Sequence, residues 1–221
     1  MSAATFDAQA YKETTRQQWE DAADAWHRWG PALESWLGHA TETMLDLAGV
    51  DRGHRVLDVA AGAGGQTLSA ARRVGPDGAV LATDISPRIL EFAAAEARRA
   101  GLANVGTHAV DGEDLDVEPG SFDAAISRVG LIYFPDRQGA LARIRRALRP
   151  GGRLGRSSTR RRTGTASSPS PSASSGGARS CRRPRPASRA RSASAATACS
   201  GPSWRRPASR TSTSTRSRRR C

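Results

Sequence analysis

Apolar positions along residues 7–154 repeat with two alternating periods. From about Asp7 to Arg28 the period is helical, with Trp19 and Trp26 seven apart on one face, and the Gly30-Pro31 pair interrupts it. A second helix is expected from about Ala32 to Leu47, stopped by Gly49. The stretch HRVLDVAAGAGG then reads as a buried strand (Val56, Leu57, Val59) running into a glycine loop, with a helix from about Gln66 to Arg73 behind it. GPDG turns the chain into a second strand, AVLATDIS, ending at Asp84, and Pro87 opens a helix that carries Ile89, Leu90 and Phe92 to a stop at Gly101. NVGTHAVDGE reads as a third strand and SFDAAISRVG as a fourth, and DRQGALARIRRALRPGG as a helix closed by Pro150 and Gly151. Strands alternating with helices of this length predict an α/β fold, a Rossmann-like doubly wound parallel sheet preceded by two N-terminal helices.

The pattern stops at about Gly155. Residues 155–221 contain no Val, Ile, Leu, Met, Phe or Tyr, and Trp204 is their one large apolar residue. Such a segment cannot bury enough surface to offset its ordering entropy, so the sheet is expected to end after the fourth strand and its helix, leaving that strand as an open edge and the tail disordered. Three regions follow: N-terminal helices over 1–50, a ligand-binding core over 51–154 and an Arg/Ser-rich tail over 155–221.

Charge changes meaning once it is located. The formal net charge of +13 would suggest nucleic acid or an acidic membrane surface, yet 17 of the 34 basic residues and none of the 21 acidic ones lie in 155–221. The first 154 residues therefore carry a net charge of −4, which removes the argument for a specific nucleic-acid partner in the folded part. All three cysteines (Cys181, Cys199, Cys221) also fall in the tail, no His/Cys/carboxylate set has metal-ligand spacing, and no apolar run is long enough to span a membrane. With an amino terminus lacking the apolar core of a signal peptide, a cytoplasmic protein is expected.

Candidate chemistry sits at the carboxyl ends of the strands, where open α/β sheets bind ligands. Gly62, Gly64 and Gly65 allow a tight turn and close approach of a ligand to the backbone. Asp58 is a carboxylate inside an apolar strand, costly without a partner, and Asp84 ends the next strand where an acidic side chain can accept both hydroxyls of a ribose. A dinucleotide loop spaces its glycines G-x-G-x-x-G, whereas here Gln66 and Thr67 stand where the third glycine should follow. Asp58 would also oppose a diphosphate and suit an ammonium.

DVAAGAGGQT resembles the first motif of class I S-adenosylmethionine-dependent methyltransferases, and the resemblance continues through LATDIS, AVDGEDL, FDAAISRVGLIYFPD and LRPGGRL, over about Arg52 to Leu154. Within that superfamily it most resembles the small-molecule branch that includes the ubiquinone/menaquinone C-methylases. The resemblance implies S-adenosylmethionine as cofactor, with Asp58, Gly62 and Gly64 at its methionine end, Asp84 on the ribose, Ile85 against the adenine, Asp111 and Gly112 at the adenine edge, and Ser127 beside the methyl group's exit. It further implies a small-molecule methyl acceptor lined by the N-terminal helices. Methyl transfer from a sulfonium is an in-line displacement, for which the protein mainly positions and excludes water. His27, Arg128 and Tyr133 are the candidate catalytic side chains. Against these stand plain structural readings: a packed or surface histidine for His27 and core packing of the two helices for Trp19, Trp26, Trp29 and Trp36, which are the commoner roles, and a solvated charge for Arg128 or a turn-former for Asp111, which are not. Rival functions are an NAD(P)-dependent dehydrogenase and a nucleotide- or nucleic-acid-binding regulator with a basic tail.

The tail's alphabet has a genetic reading. Residues 155–221 use only Arg, Ser, Ala, Thr, Gly, Pro, Cys and Trp, whose codons carry G or C in the middle, while the same eight types make up 86 of the first 154 residues. In a GC-rich gene a one-base shift moves the GC-rich third position into the second, so a frameshift predicts this composition. Undoing the shift from Arg156 permits Ala-Val-Val-Tyr, an apolar run fit for a fifth strand, and at Thr211 to Ser214 it permits a polar/apolar alternation. The chain with the shift is expected to bind cofactor weakly or not at all and to turn over poorly, and its in-frame parent to be active.

Overall fold

The computed structural model describes residues 6–158. Helices α1 (Ala8–Arg28) and α2 (Gly30–Ala48) lead into the alternating series β1 (Arg55–Val59), α3 (Gly65–Val74), β2 (Ala79–Asp84), α4 (Pro87–Arg99), β3 (Val105–Ala109), β4 (Phe122–Arg128), a 3-10 turn (Gly130–Tyr133), α5 (Arg137–Ala147) and β5 (Leu148–Ser157). Capping explains the helix starts. The Asp7 carboxylate accepts from the amides of Gln9 and Ala10, the Ser86 hydroxyl from Ile89 ahead of Pro87, and the Asp136 carboxylate from Gly139. Gly49 ends α2 in the left-handed conformation at φ 66°.

All strand pairs are parallel, in the order β3-β2-β1-β4-β5. The pleat divides β1 between two cores. Val56 packs with Val80, Ala124 and Ile126 under Met44, Leu45, Ala70 and Val74 of α2 and α3, whereas Leu57 and Val59 pack with Leu81, Ala125 and Phe122 over Ile144 of α5. Strand order reverses between β1 and β4, so a crevice opens outside their carboxyl ends, and α1 and α2 lie across it.

The sheet does not stop at β4 as the loss of aliphatic residues suggested. Leu148–Ser157 forms a fifth parallel strand, and its register runs Leu154↔Ala125, Gly155↔Ile126, Arg156↔Ser127 and Ser157↔Arg128, through the point where composition changes. A ladder is held by main-chain hydrogen bonds, so the edge of β4 can be satisfied by residues with few apolar side chains. Close packing does the rest. A Cβ on Gly155 would stand 2.4 Å from the Met44 carbonyl oxygen and 2.9 Å from the Ala48 Cβ, so α2 rests directly on the β5 backbone there. Pro150 and Gly151 do not close a helix either; α5 ends at Ala147, and the register shift between Phe122 and Ala124 absorbs Arg149 to Gly152 as an irregularity within β5. Among the described residues the edge strands are therefore β3 and β5, and β4 is internal. The disorder expected of the tail falls, from Thr159 onward, outside the described residues. Among the described residues no helix is long and apolar enough to cross a membrane.

Candidate active site

Strand β1 delivers Asp58 to the floor of the crevice with no solvent exposure. Thr67 Oγ1 donates to its Oδ2 at 2.6 Å and Gln66 Nε2 to its Oδ1 at 3.3 Å. Burial pushes the Asp58 carboxyl up to about 7 against these two donors and the attraction of Arg128. Gln66 and Thr67, notable in the sequence only for displacing a third glycine, are thus the partners that make a buried carboxylate tenable. Their positions in the first turn of α3, facing back on the strand before the loop, were the available signal.

Strand β2 delivers Asp84, also almost fully buried. Its Oδ2 accepts from the Gly62 amide at 2.9 Å and its Oδ1 from the Ser86 amide at 3.1 Å, which ties the end of β2 to the glycine loop. Burial raises its pKa while the Ser86, Gly62 and Ile85 amides oppose the rise. The loop is conformationally demanding: Ala60 and Gly62 both sit at φ 57° and Gly64 at φ 92°. Ala60 carries a Cβ in that left-handed region, as does Val129 at φ 65° on the far side of the crevice. At Gly64 a Cβ would come within 2.8 Å of the Ala93 Cβ, so α4 and the loop meet where only glycine fits.

The N-terminal helices form the roof. Trp26 stands on the loop, its Nε1 3.2 Å from where a Gly62 Cβ would be, and Trp19 meets both Trp26 (ring centroids 5.2 Å) and Tyr133 (5.4 Å) edge to face. Lys12 of α1 reaches Asp111 at 2.7 Å and Glu113 at 2.5 Å. Burial alone would lower the Lys12 pKa, and the two carboxylates more than offset it, raising it. The tryptophans do not pack together as a helical core: Trp29 and Trp36 are 63% and 72% exposed, and the buried residues of α1 are Thr15 and Ala23. The helices span a cleft rather than each other, so Trp19, Trp26 and Trp36 line it instead.

That cleft, about 240 Å³, is lined by Gly62, Asp84, Ile85, Asp111, Gly112, Arg128 and Tyr133 among the candidate residues. Asp58 lies beneath it, Gly64 at the start of α3 beside it, and Ser127 is fully buried below its wall with a hydroxyl that makes no hydrogen bond among the described residues. A Cβ on Gly112 would strike Phe134 at 2.5 Å, so this glycine lets the ring close the cleft. His27 is elsewhere: its ring stacks on Phe92 at 4.4 Å and its Nε2 lies 3.6 Å from Glu96, because that face of α1 rests on α4. Arg128 is not a solvated charge. Its side chain is 7% exposed, with Nη1 donating to Glu34 at 2.7 Å and Thr41 at 3.0 Å. Lys12, Glu34 and Thr41 escaped sequence reasoning, since nothing local marks a helix residue whose partner lies about 90 positions away.

A crevice at the strand reversal, floored by Asp58 and edged by Asp84, suits a cationic nucleoside better than a diphosphate. Residues 56–152 match the family model described as a methyltransferase domain. The chain is 33% identical over 156 residues to the aklanonic acid methyltransferase DauC of Streptomyces sp. (strain C5), covering 71% of this chain and 70% of that protein. The chain belongs to the S-adenosylmethionine-dependent methyltransferases. This methyltransferase is also 38% identical over 111 residues to a ubiquinone/menaquinone biosynthesis C-methyltransferase of Pasteurella multocida (strain Pm70), covering 50% of this chain but 41% of that one. Among solved structures it resembles the [4+2]-cyclase SpnF, with 31% identity and a TM-score of 0.50 over 53% of this chain and 43% of that chain. The dehydrogenase alternative gives way to this family. The methyltransferase's residues fit the family's cofactor: two buried carboxylates for a cationic ligand with a ribose, glycines where side chains would fill the cradle, and an unpaired buried hydroxyl at Ser127.

Proposed function

We propose that this methyltransferase moves a methyl group from S-adenosylmethionine to a small, largely apolar acceptor that enters beneath α2. The observation that carries the reading is the convergence, in one cleft, of Asp84 and the glycine loop with an apolar wall of Trp19, Trp26, Leu33, Trp36, Leu37 and Tyr133. When bound, the cofactor supplies an electrophilic methyl on a sulfonium. Asp58, Gly62 and Gly64 hold its methionine end, Asp84 its ribose, Ile85 its adenine, and Asp111 and Gly112 the adenine edge. Ser127 stands beside the methyl's path. Tyr133, on the turn that follows β4, is the side chain we assign to meet the acceptor, and its packing on Trp19 fixes the ring. The protein's part in the displacement is alignment and water exclusion. The acceptor class follows DauC and the quinone C-methyltransferases, all named for small organic substrates. We place the protein in the cytoplasm, with no specific nucleic-acid partner.

The test is calorimetry of S-adenosylhomocysteine, the reaction's product, with the full chain and with Asp84→Ala. Binding that Asp84→Ala abolishes supports the reading, and equal binding by both proteins overturns it. We further propose that the composition beyond about Leu154 records a frameshift and, because β5 covers β4 where the sequence led us to expect an open edge, that this chain holds cofactor rather than binding it weakly or not at all, while turnover suffers on the acceptor side. Resequencing codons 150–160 decides the first point; methyl transfer by the frame-restored chain exceeding that of this chain supports the second, and equal rates refute it.

A further inference from the structure

The Glu34 carboxylate occupies the glycine loop's far end. A Cβ on Gly65, the first residue of α3, would lie 2.0 Å from Glu34 Oε1 and 2.8 Å from Arg128 Nη2, so the carboxylate rests on the Gly65 backbone. There it accepts from Arg128 Nη1 at 2.7 Å, and Arg128 is anchored in turn on Thr41 Oγ1 at 3.0 Å. The two partners differ in freedom. Arg128 is 7% exposed and held, while Glu34 is 37% exposed and can leave for solvent at small cost. No side chain caps the start of α3 from its own flank. The arrangement is an anion site with its anion supplied by a neighbouring helix.

The argument here rests on the cofactor reading above. With the ribose at Asp84, the backbone from Gly62 to Gly65 would hold the cofactor's amino-acid end, which carries a free carboxylate. The space between the Gly65 backbone and Arg128 is already filled by the Glu34 carboxylate, so a second carboxylate can take that place only by moving the first. We propose that Glu34 is a resident stand-in for the cofactor carboxylate, which displaces it from Arg128 on binding. Displacement frees the amino-terminal half of α2, whose Leu33, Trp36, Leu37 and Ala40 line the cleft at helical spacing. The cofactor therefore binds first, and its arrival loosens the wall that the acceptor must pass.

Calorimetry of the full chain with two ligands tests this: S-adenosylhomocysteine, which has the amino-acid end, and 5′-methylthioadenosine, which lacks it. Glu34→Gln keeps shape and removes the competing charge. It should bind S-adenosylhomocysteine about fivefold more tightly, ~1 kcal/mol, with methylthioadenosine affinity changed by less than about twofold. Glu34→Ala, checked with it by thermal melting, should show the same contrast. Unchanged or weaker S-adenosylhomocysteine binding by both variants, or an equal gain for the two ligands, overturns the proposal while leaving the cofactor reading intact. A wild-type chain that binds neither ligand overturns the cofactor reading and this proposal with it.

Discussion

Asp58 is the residue whose replacement says most about how this site is built. Its carboxyl is raised from the ordinary 3.8 to about 7 by complete burial, which means the folded chain holds a proton that the unfolded chain releases. Below pH 4 both states are protonated and burial of the charge costs nothing. Between pH 4 and 7 stability falls as pH rises, at about 1.4 kcal/mol per pH unit, and above 7 the full cost, on the order of 4 kcal/mol, is in place. Asp58→Asn keeps the shape, and the Thr67 hydroxyl at 2.6 Å can turn to accept from the new amide. The variant should therefore be close to wild type at pH 4.5 and more stable at pH 8, the gap widening by roughly 3 kcal/mol. Urea denaturation of both proteins at the two pH values measures it. The same carboxylate should attract the cofactor's ammonium, so wild-type affinity for S-adenosylhomocysteine should tighten from pH 6 to 8, and Asp58→Asn should bind weakly at both. A stability gap independent of pH would refute the argument, because it would mean that Asp58 does not titrate within the fold.

Other expectations follow from single contacts. Ala60→Gly relieves a Cβ held at φ 57° and should raise stability by about 1 kcal/mol in the same denaturation assay; a loss would mean that the Ala60 methyl contributes more by packing than it costs in strain. Gly155→Val forces a branched side chain into a space where even a Cβ lies 2.4 Å from the Met44 carbonyl, and should destabilise by at least about 3 kcal/mol, lowering the melting temperature. An unchanged melting temperature would show that α2 does not rest on β5. Lys12→Met removes the cation held by Asp111 and Glu113, leaving two half-buried carboxylates side by side, and should cost about 1–2 kcal/mol in the same urea denaturation at pH 7; an unchanged midpoint would show that the ion pairs contribute nothing to stability.

Much of the architecture was legible because it depends on local patterns. Alternation of apolar runs with capped helices gave β1 to β4, α3 to α5 and both N-terminal helices within a few residues, and the position of Asp58 inside β1 and of Asp84 at the end of β2 follows from strand length alone. The fifth strand was not legible, because side-chain composition is a proxy for burial and β5 is held mainly by the β4 backbone and by α2 resting on Gly155. The same limit explains the roof of the site. The tryptophans share a helical face, but whether that face meets another helix or a cleft is decided only when α1 and α2 cross the sheet, and it places Trp19 and Trp26 over the glycine loop. Sequence by itself thus determined the first four strands, their helices and the carboxylates those strands carry, since these obey periods of two and 3.6 residues. Tertiary structure alone decided that Glu34 meets Arg128 and Lys12 meets Asp111, because pairings between residues nearly 100 positions apart have no local signature and exist only once the sheet has brought the helices to its carboxyl edge.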